Sequence, residues 1–128
     1  MSEQYTILYV EDDPNNRLLI RRILMAEGFT VMEAPNAYSA LRILQASPPD
    51  LILMDINLPE VDGYTLTAQI RALPEIAHIP IIALTANVMR GDRERTLEAG
   101  CDGYIQKPVD VDVLPDQIRK FLQETKHD

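Results

Sequence analysis

Residues 51–59 read Leu51-Ile52-Leu53-Met54-Asp55-Ile56-Asn57-Leu58-Pro59. Four apolar residues run unbroken into a carboxylate and then a turn, the pattern of a strand buried on both faces that delivers an acid at its carboxyl end. Three more strand-like runs also end in an ionisable or hydroxyl residue, at Glu11-Asp12-Asp13, at Thr85 and at Lys107. A parallel sheet sets all its carboxyl ends along one edge, so side chains distant in sequence can meet there.

Working outward, five apolar runs recur at intervals of roughly 20 to 30 residues: Tyr5 to Val10, Thr30 to Ala34, Leu51 to Met54, Ile79 to Leu84 and Tyr104 to Gln106. Between them lie segments with helical spacing, among them Leu19 with Ile23, Leu41 with Leu44, Leu66 with Ile70, and Leu114 with Ile118 and Leu122. Strand then helix, five times over, predicts an α/β protein. Right-handed crossovers make it a doubly wound parallel sheet with helices on both faces, and ligands bind such sheets beyond the carboxyl ends at the switch point of strand order. The first and third strands are the expected neighbours there.

Punctuation supports these boundaries. Pro14 opens the first helix, and Gly28 follows it as a C-cap. Asp112 is the expected N-cap of the last helix, which puts Pro115 in the first turn, where proline is tolerated. The fourth helical stretch, Arg90 to Ala99, has few apolar anchors beyond Leu97 and the preceding Val88 and Met89, so it should be easier to shift than the rest.

A chain of 128 residues fits one domain, residues 1–128, and no repeat or linker divides it. The composition, 46% apolar and 25% charged, is that of a soluble globular protein. No apolar run approaches the roughly 20 residues of a membrane-spanning helix. Met1-Ser2-Glu3-Gln4 lacks the basic start and apolar stretch of a secretory signal, and a cytoplasmic location is expected. The single Cys101 cannot form an internal disulfide and is expected to serve packing. With 20 acidic against 12 basic side chains and a net charge of -8, direct nucleic-acid binding is not expected. His78 and His127 are expected at the surface.

Glu11, Asp12, Asp13 and Asp55 gathered in one cleft repel one another unless a cation neutralises them. Magnesium suits the pattern better than calcium, because it takes only one or two carboxylates with waters and a phosphate oxygen, and no EF-hand spacing occurs. Thr85 adds a hydroxyl and Lys107 a fixed positive charge, the parts that phosphoryl transfer needs, with Asp55 as nucleophile. A phosphatase of the haloacid dehalogenase type would need a second aspartate where Asn57 stands. A flavin mononucleotide carrier would need a Ser/Thr/Gly-rich loop where the acids stand.

Four stretches together resemble the receiver domain of two-component response regulators, the CheY-like fold. They are Ile7-Leu8-Tyr9-Val10-Glu11-Asp12-Asp13, Met54-Asp55-Ile56-Asn57-Leu58-Pro59-Glu60-Val61-Asp62-Gly63, Ile81-Ile82-Ala83-Leu84-Thr85-Ala86 and Gly100-Cys101-Asp102-Gly103-Tyr104-Ile105-Gln106-Lys107-Pro108. The resemblance implies a flavodoxin-like (βα)5 sheet in the order 2-1-3-4-5. It implies that Asp55 accepts a phosphoryl group from the phosphohistidine of a sensor histidine kinase or histidine phosphotransfer protein, making the chain a signalling phosphoacceptor rather than a turnover enzyme. It assigns magnesium to Asp12, to Asp55, to the carbonyl of Asn57 and, through water, to Glu11, which replaces the more frequent aspartate. Thr85 and Lys107 would contact the phosphoryl group, and Tyr104 would change rotamer when Thr85 moves.

The output surface implied is the fourth helix, fifth strand and fifth helix, docking a downstream protein. Asn57 and Asn87 resemble the pair that tunes access of the attacking water; neither is a general base, so slow to moderate self-dephosphorylation is expected. The Lys107-Pro108 bond is often cis in this family. The segment from Ile79 to Asp92 resembles those of stand-alone cell-cycle regulators of the DivK kind and of receivers of hybrid kinases. A stand-alone regulator is expected, with a receiver cut from a hybrid kinase or larger regulator as the alternative.

Overall fold

The computed structural model describes residues 4–86 and 92–125. Strands and helices alternate as expected: β1 (Thr6–Val10), α1 (Pro14–Ala26), β2 (Thr30–Ala34), α2 (Ala37–Ala46), β3 (Leu51–Asp55), α3 (Gly63–Arg71), β4 (Ile81–Thr85), α4 (Asp92–Glu98), β5 (Gly103–Gln106) and α5 (Leu114–Thr125). All pairings are parallel, in the order β2-β1-β3-β4-β5, as the resemblance implied. From β1 the chain winds outward to β2, and from β3 it winds the other way, so the switch point lies between the carboxyl ends of β1 and β3.

Alternate strand residues feed two cores. Leu8, Val10, Ile52, Met54, Ile81 and Ala83 pack with Leu44 of α2 and Leu66 and Ile70 of α3. Ile7, Tyr9, Leu51, Leu53, Ile82, Leu84 and Ile105 pack with Ile20 and Leu24 of α1 and with Leu114, Ile118 and Leu122 of α5. Every residue of β3 and of β4 is buried, and each aliphatic side chain so placed contributes roughly 1.5–3 kcal/mol. Burial on both faces is why these strands read as continuous apolar runs.

Several boundaries and faces differ from expectation. Strand β4 begins at Ile81 rather than Ile79, because Pro80 has no N–H to donate and the Ile79 N–H closes a turn onto the Ile76 carbonyl. Asp55 belongs to β3, paired with Leu84. In α1 the buried pair is Ile20 with Leu24; Leu19 is half exposed. Burial of Ile20 and Leu24 against the sheet sets that rotation, and Arg17 and Arg21, one turn apart, both reach Glu33 at 3.3 Å in keeping with it.

In α4 Leu97 is largely exposed and Thr96 is the buried residue, its carbonyl accepting the Cys101 N–H at 3.2 Å. Helix α5 starts at Leu114, so Asp112 is not its cap. The Asp110 carbonyl accepts from the Val113 and Leu114 N–H groups and its side chain from Asp112 N–H. Pro115 still falls in the first turn. Gly28 and Gly100, just past α1 and α4, have φ of +95° and +111°, the left-handed region that ends helices at little cost only for glycine.

Candidate functional site

Strand β1 keeps its direction one residue past Val10, because the Glu11 N–H donates to the Ala34 carbonyl at 2.9 Å. Glu11 is thereby held 2% exposed, while Asp12, next in line, points into solvent. The chain then turns into α1. Asp13 caps that helix, accepting the Asn15 N–H at 2.8 Å with Pro14 in the first helical position, and Arg17 clasps the Glu11 carbonyl at 2.7 Å. Across the switch point, Asp55 is also 2% exposed. One of its carboxylate oxygens, Oδ1, accepts the Asn57 N–H at 3.0 Å and lies 2.9 Å from Lys107 Nζ.

Lys107 reaches Asp55 because β5 runs beside β4 and its own N–H donates to the Thr85 carbonyl at 2.8 Å. The Lys107–Pro108 peptide that follows is cis. On the other side, Gly63 opens α3 beneath the Asp55–Ile56 backbone, where its N–H donates to the Ile56 carbonyl at 2.9 Å.

Carboxylate oxygens of Glu11, Asp12 and Asp55 lie within 4.8 Å of one another. Burial, and next a hydrogen bond shared with Asp55, push the Glu11 carboxyl up to about 7. The Asp13 N–H, at 3.2 Å from Glu11 Oε2, and Lys107 pull the other way. Burial and the charge of Glu11 likewise push the Tyr9 phenol above its ordinary value. The cleft thus concentrates negative charge that, among the described residues, Lys107 offsets only in part.

Of the residues expected in one site, Glu11, Asp12, Asp55 and Lys107 come together, and the Asn57 backbone joins them. Thr85 is buried at the carboxyl end of β4, one residue past the partner of Asp55. Tyr104 is half-buried in β5, opposite Ala83 and against the α2/α3 core. Asn87 lies outside the described residues, as do Arg90 at the start of the expected fourth helix and His127. His78 is exposed, as expected. Cys101 is buried beside Thr67 Oγ1 at 3.7 Å, the packing role expected of it, and burial raises its thiol.

Two contributors were not singled out from the sequence. Gly63 is needed for space rather than for φ. Tyr9 donates its hydroxyl to Glu11 Oε1 at 3.1 Å, and the period of two along a strand, which puts residues 9 and 11 on one face, was the available signal.

Among the described residues the donor set is all oxygen, two of its carboxylates are almost wholly out of water, and Lys107 stands beside the three acids. Such a set fits a hard divalent cation and offers a soft metal no sulfur or imidazole. Among the described residues, no helix is long and apolar enough to cross a membrane.

Comparison with known proteins agrees with this geometry. The family model described as the response regulator receiver domain matches residues 7–119. The polar-differentiation response regulator DivK of Brucella anthropi is 40% identical over 117 residues, which cover 91% of this chain and 95% of that protein. Among solved structures, the signal receiver domain of a signal transduction histidine kinase from Syntrophus aciditrophicus is 35% identical, with a TM-score of 0.87 over 97% of this chain and 94% of that one. The receiver domain of a sensor histidine kinase from Pseudomonas aeruginosa, with a magnesium ion coordinated in its active-site cleft, is 38% identical with a TM-score of 0.85. That match covers 94% of this chain and 99% of the other.

Proposed function

The chain belongs to the response regulator receiver domain family of two-component signalling, and from that premise we propose that residues 1–128 act as one cytoplasmic receiver whose Asp55 is a reversible phosphoryl acceptor. The observation that carries this reading is the Asp55 carboxylate itself: buried, 2.9 Å from Lys107 Nζ, and within 4.8 Å of two further carboxylates. An Asp55 oxygen attacks phosphorus, forming an O–P bond as the P–N bond to the donor histidine breaks and the imidazole leaves with the bonding pair. Lys107 and the Thr85 hydroxyl hold the equatorial oxygens. Glu11, Asp12, Asp55 and the Asn57 carbonyl would hold magnesium, which supplies positive charge against which the carboxylates and the phosphoryl oxygens can approach. Asn57 and Asn87 set how readily water reaches the acyl phosphate. The chain assists only its own phosphorylation and dephosphorylation and turns over no other substrate.

Magnesium binding tests the first half of this reading. A cation that binds the folded chain alone stabilises it by RT ln(1 + [L]/Kd), so magnesium at ten times its dissociation constant should raise Tm by about 5 °C for a chain of this length. Chelation should reverse the shift, and Asp12→Asn should abolish most of it. A Tm indifferent to magnesium would remove the proposed cation site.

Phosphorylation replaces the single carboxylate charge of Asp55 with a phosphoryl group of roughly 1.5 to 2 negative charges and three acceptor oxygens beside Thr85 and Lys107. The proposed output is a population shift in which Thr85 closes on the new oxygens, Tyr104 turns inward, and the surface of α4, β5 and α5 repacks to dock a partner protein. Helix α4 suits such movement, since its one fully buried side chain among the described residues is Thr96. At equal phosphoryl occupancy, wild type should show altered amide exchange along α4, β5 and α5, and Thr85→Ala should show none. The same response in both would disconnect Thr85 from the switch.

A further inference from the structure

Tyr9 is 2% exposed, and its ring fills the core between the sheet and helices α1 and α5, among Ile7, Ile20, Leu24 and Leu53. A phenylalanine ring would fill that volume as well, so packing accounts for the aromatic and not for the oxygen. The hydroxyl points at the carboxyl edge and donates to Glu11 Oε1 at 3.1 Å, inside buried surroundings. Neighbouring same-face residues of a strand stand nearly 7 Å apart, and a tyrosine is long enough to span that distance and still bury its ring.

The other bonds of Glu11 complete a four-point fixing. Its N–H binds the Ala34 carbonyl, its own carbonyl accepts Arg17 Nη1, and Oε2 accepts the Asp13 N–H. Oε1 accepts from Tyr9, and the Asp55 carboxylate, with which Glu11 shares a hydrogen bond, lies close by. Without the phenol, Oε1 would lose the hydrogen bond that fixes its direction, and the flexible glutamate could settle in another rotamer.

We infer that Tyr9 is a positioning residue of the cation site: its hydroxyl fixes the rotamer of Glu11, whose side chain has one methylene more than an aspartate, so that the carboxylate faces Asp12 and Asp55. Residues that orient metal-binding groups typically account for 10- to 100-fold in metal affinity. The inference rests on the magnesium reading given above, and the test separates the two.

Magnesium is titrated calorimetrically into the intact chain as wild type, Tyr9→Phe, Glu11→Ala and the double variant. Tyr9→Phe should raise the magnesium dissociation constant about tenfold, while its metal-free Tm stays within about 5 °C of wild type. In the Glu11→Ala background the same change should alter the constant less than about twofold, since there is no carboxylate left to orient. An unchanged constant in folded Tyr9→Phe overturns the inference. So does a tenfold loss that persists without Glu11, and so does a Tyr9→Phe chain that fails to fold, because the hydroxyl would then serve the core rather than the site. Absence of magnesium binding by wild type would instead overturn the reading beneath it.

Discussion

Asp55→Asn is expected to take up no phosphoryl group from a small acyl phosphate with magnesium present, a loss of at least about 100-fold in labelled protein relative to wild type. The amide has no nucleophilic carboxylate, yet it matches the acid in shape. Its oxygen can still accept from the Asn57 N–H and from Lys107, the two donors that meet Asp55 Oδ1. Losing one buried negative charge beside Glu11 also relieves repulsion, so the variant should melt within a few degrees of wild type. Circular dichroism and intact mass, read on the same samples, separate loss of the nucleophile from loss of the fold. Label persisting in a folded Asp55→Asn would assign the chemistry to another residue.

Gly63→Ala should damage both fold and site. An added Cβ would lie 2.7 Å from Ile56 Cα, 2.8 Å from the Asp55 carbonyl oxygen and 2.9 Å from Ile56 Cδ1. Two of those three atoms are backbone and cannot swing aside, so the peptide joining Asp55 to Ile56 must move. Overpacking of this kind costs about 1–3 kcal/mol, a fall in Tm of roughly 4–10 °C for a domain of this size. Because the displaced peptide carries Asp55, the rate of phosphoryl uptake should also fall by more than about tenfold.

Gly28→Ala supplies the comparison. Its Cβ meets nothing within 4 Å, but φ is +95°, so it should lower Tm through backbone strain and leave phosphoryl uptake alone. Equal losses of uptake in the two variants would mean that general destabilisation, rather than movement of Asp55, is responsible.

The legibility of this molecule follows from which facts are local. Asp55, Thr85 and Lys107 could be gathered from sequence because each ends an apolar run, and parallel strands bring such ends to one edge. The pairing of β1 with β3 followed from the switch-point rule, whereas the full strand order came from the family resemblance. Helix faces were less legible. In α1 a shift of one residue exchanges Leu19 with Ile20, and the core of β1, β3 and α5 that takes Ile20 with Leu24 is assembled from distant segments.

In α4 the apolar Leu97 was the obvious anchor, yet the buried residue is Thr96, whose hydroxyl lies 3.4 Å from that of Tyr64 in α3. Contacts made across distant segments left no sequence trace at all. Arg71, for instance, donates to the carbonyls of Ala77, Ile79 and Gly100 and to the Asp102 carboxylate, tying the approach to β4 to the approach to β5. That clamp needs three turns placed around one guanidinium, which no spacing rule encodes. The bond from Tyr9 to Glu11 lay within reach of the period-two rule, but an aromatic in a buried strand reads first as packing.

In the proposed mechanism signalling begins with phosphoryl transfer to a buried acid beside a cation site. The most direct test of that transfer is the intact mass of the wild-type chain after incubation with a small acyl phosphate, with magnesium and with chelator, followed by peptide mapping of any label. A gain of about 80 Da that needs magnesium and maps to Asp55 is the result expected. No gain, an equal gain under chelation, or a label carried on any other residue would contradict it.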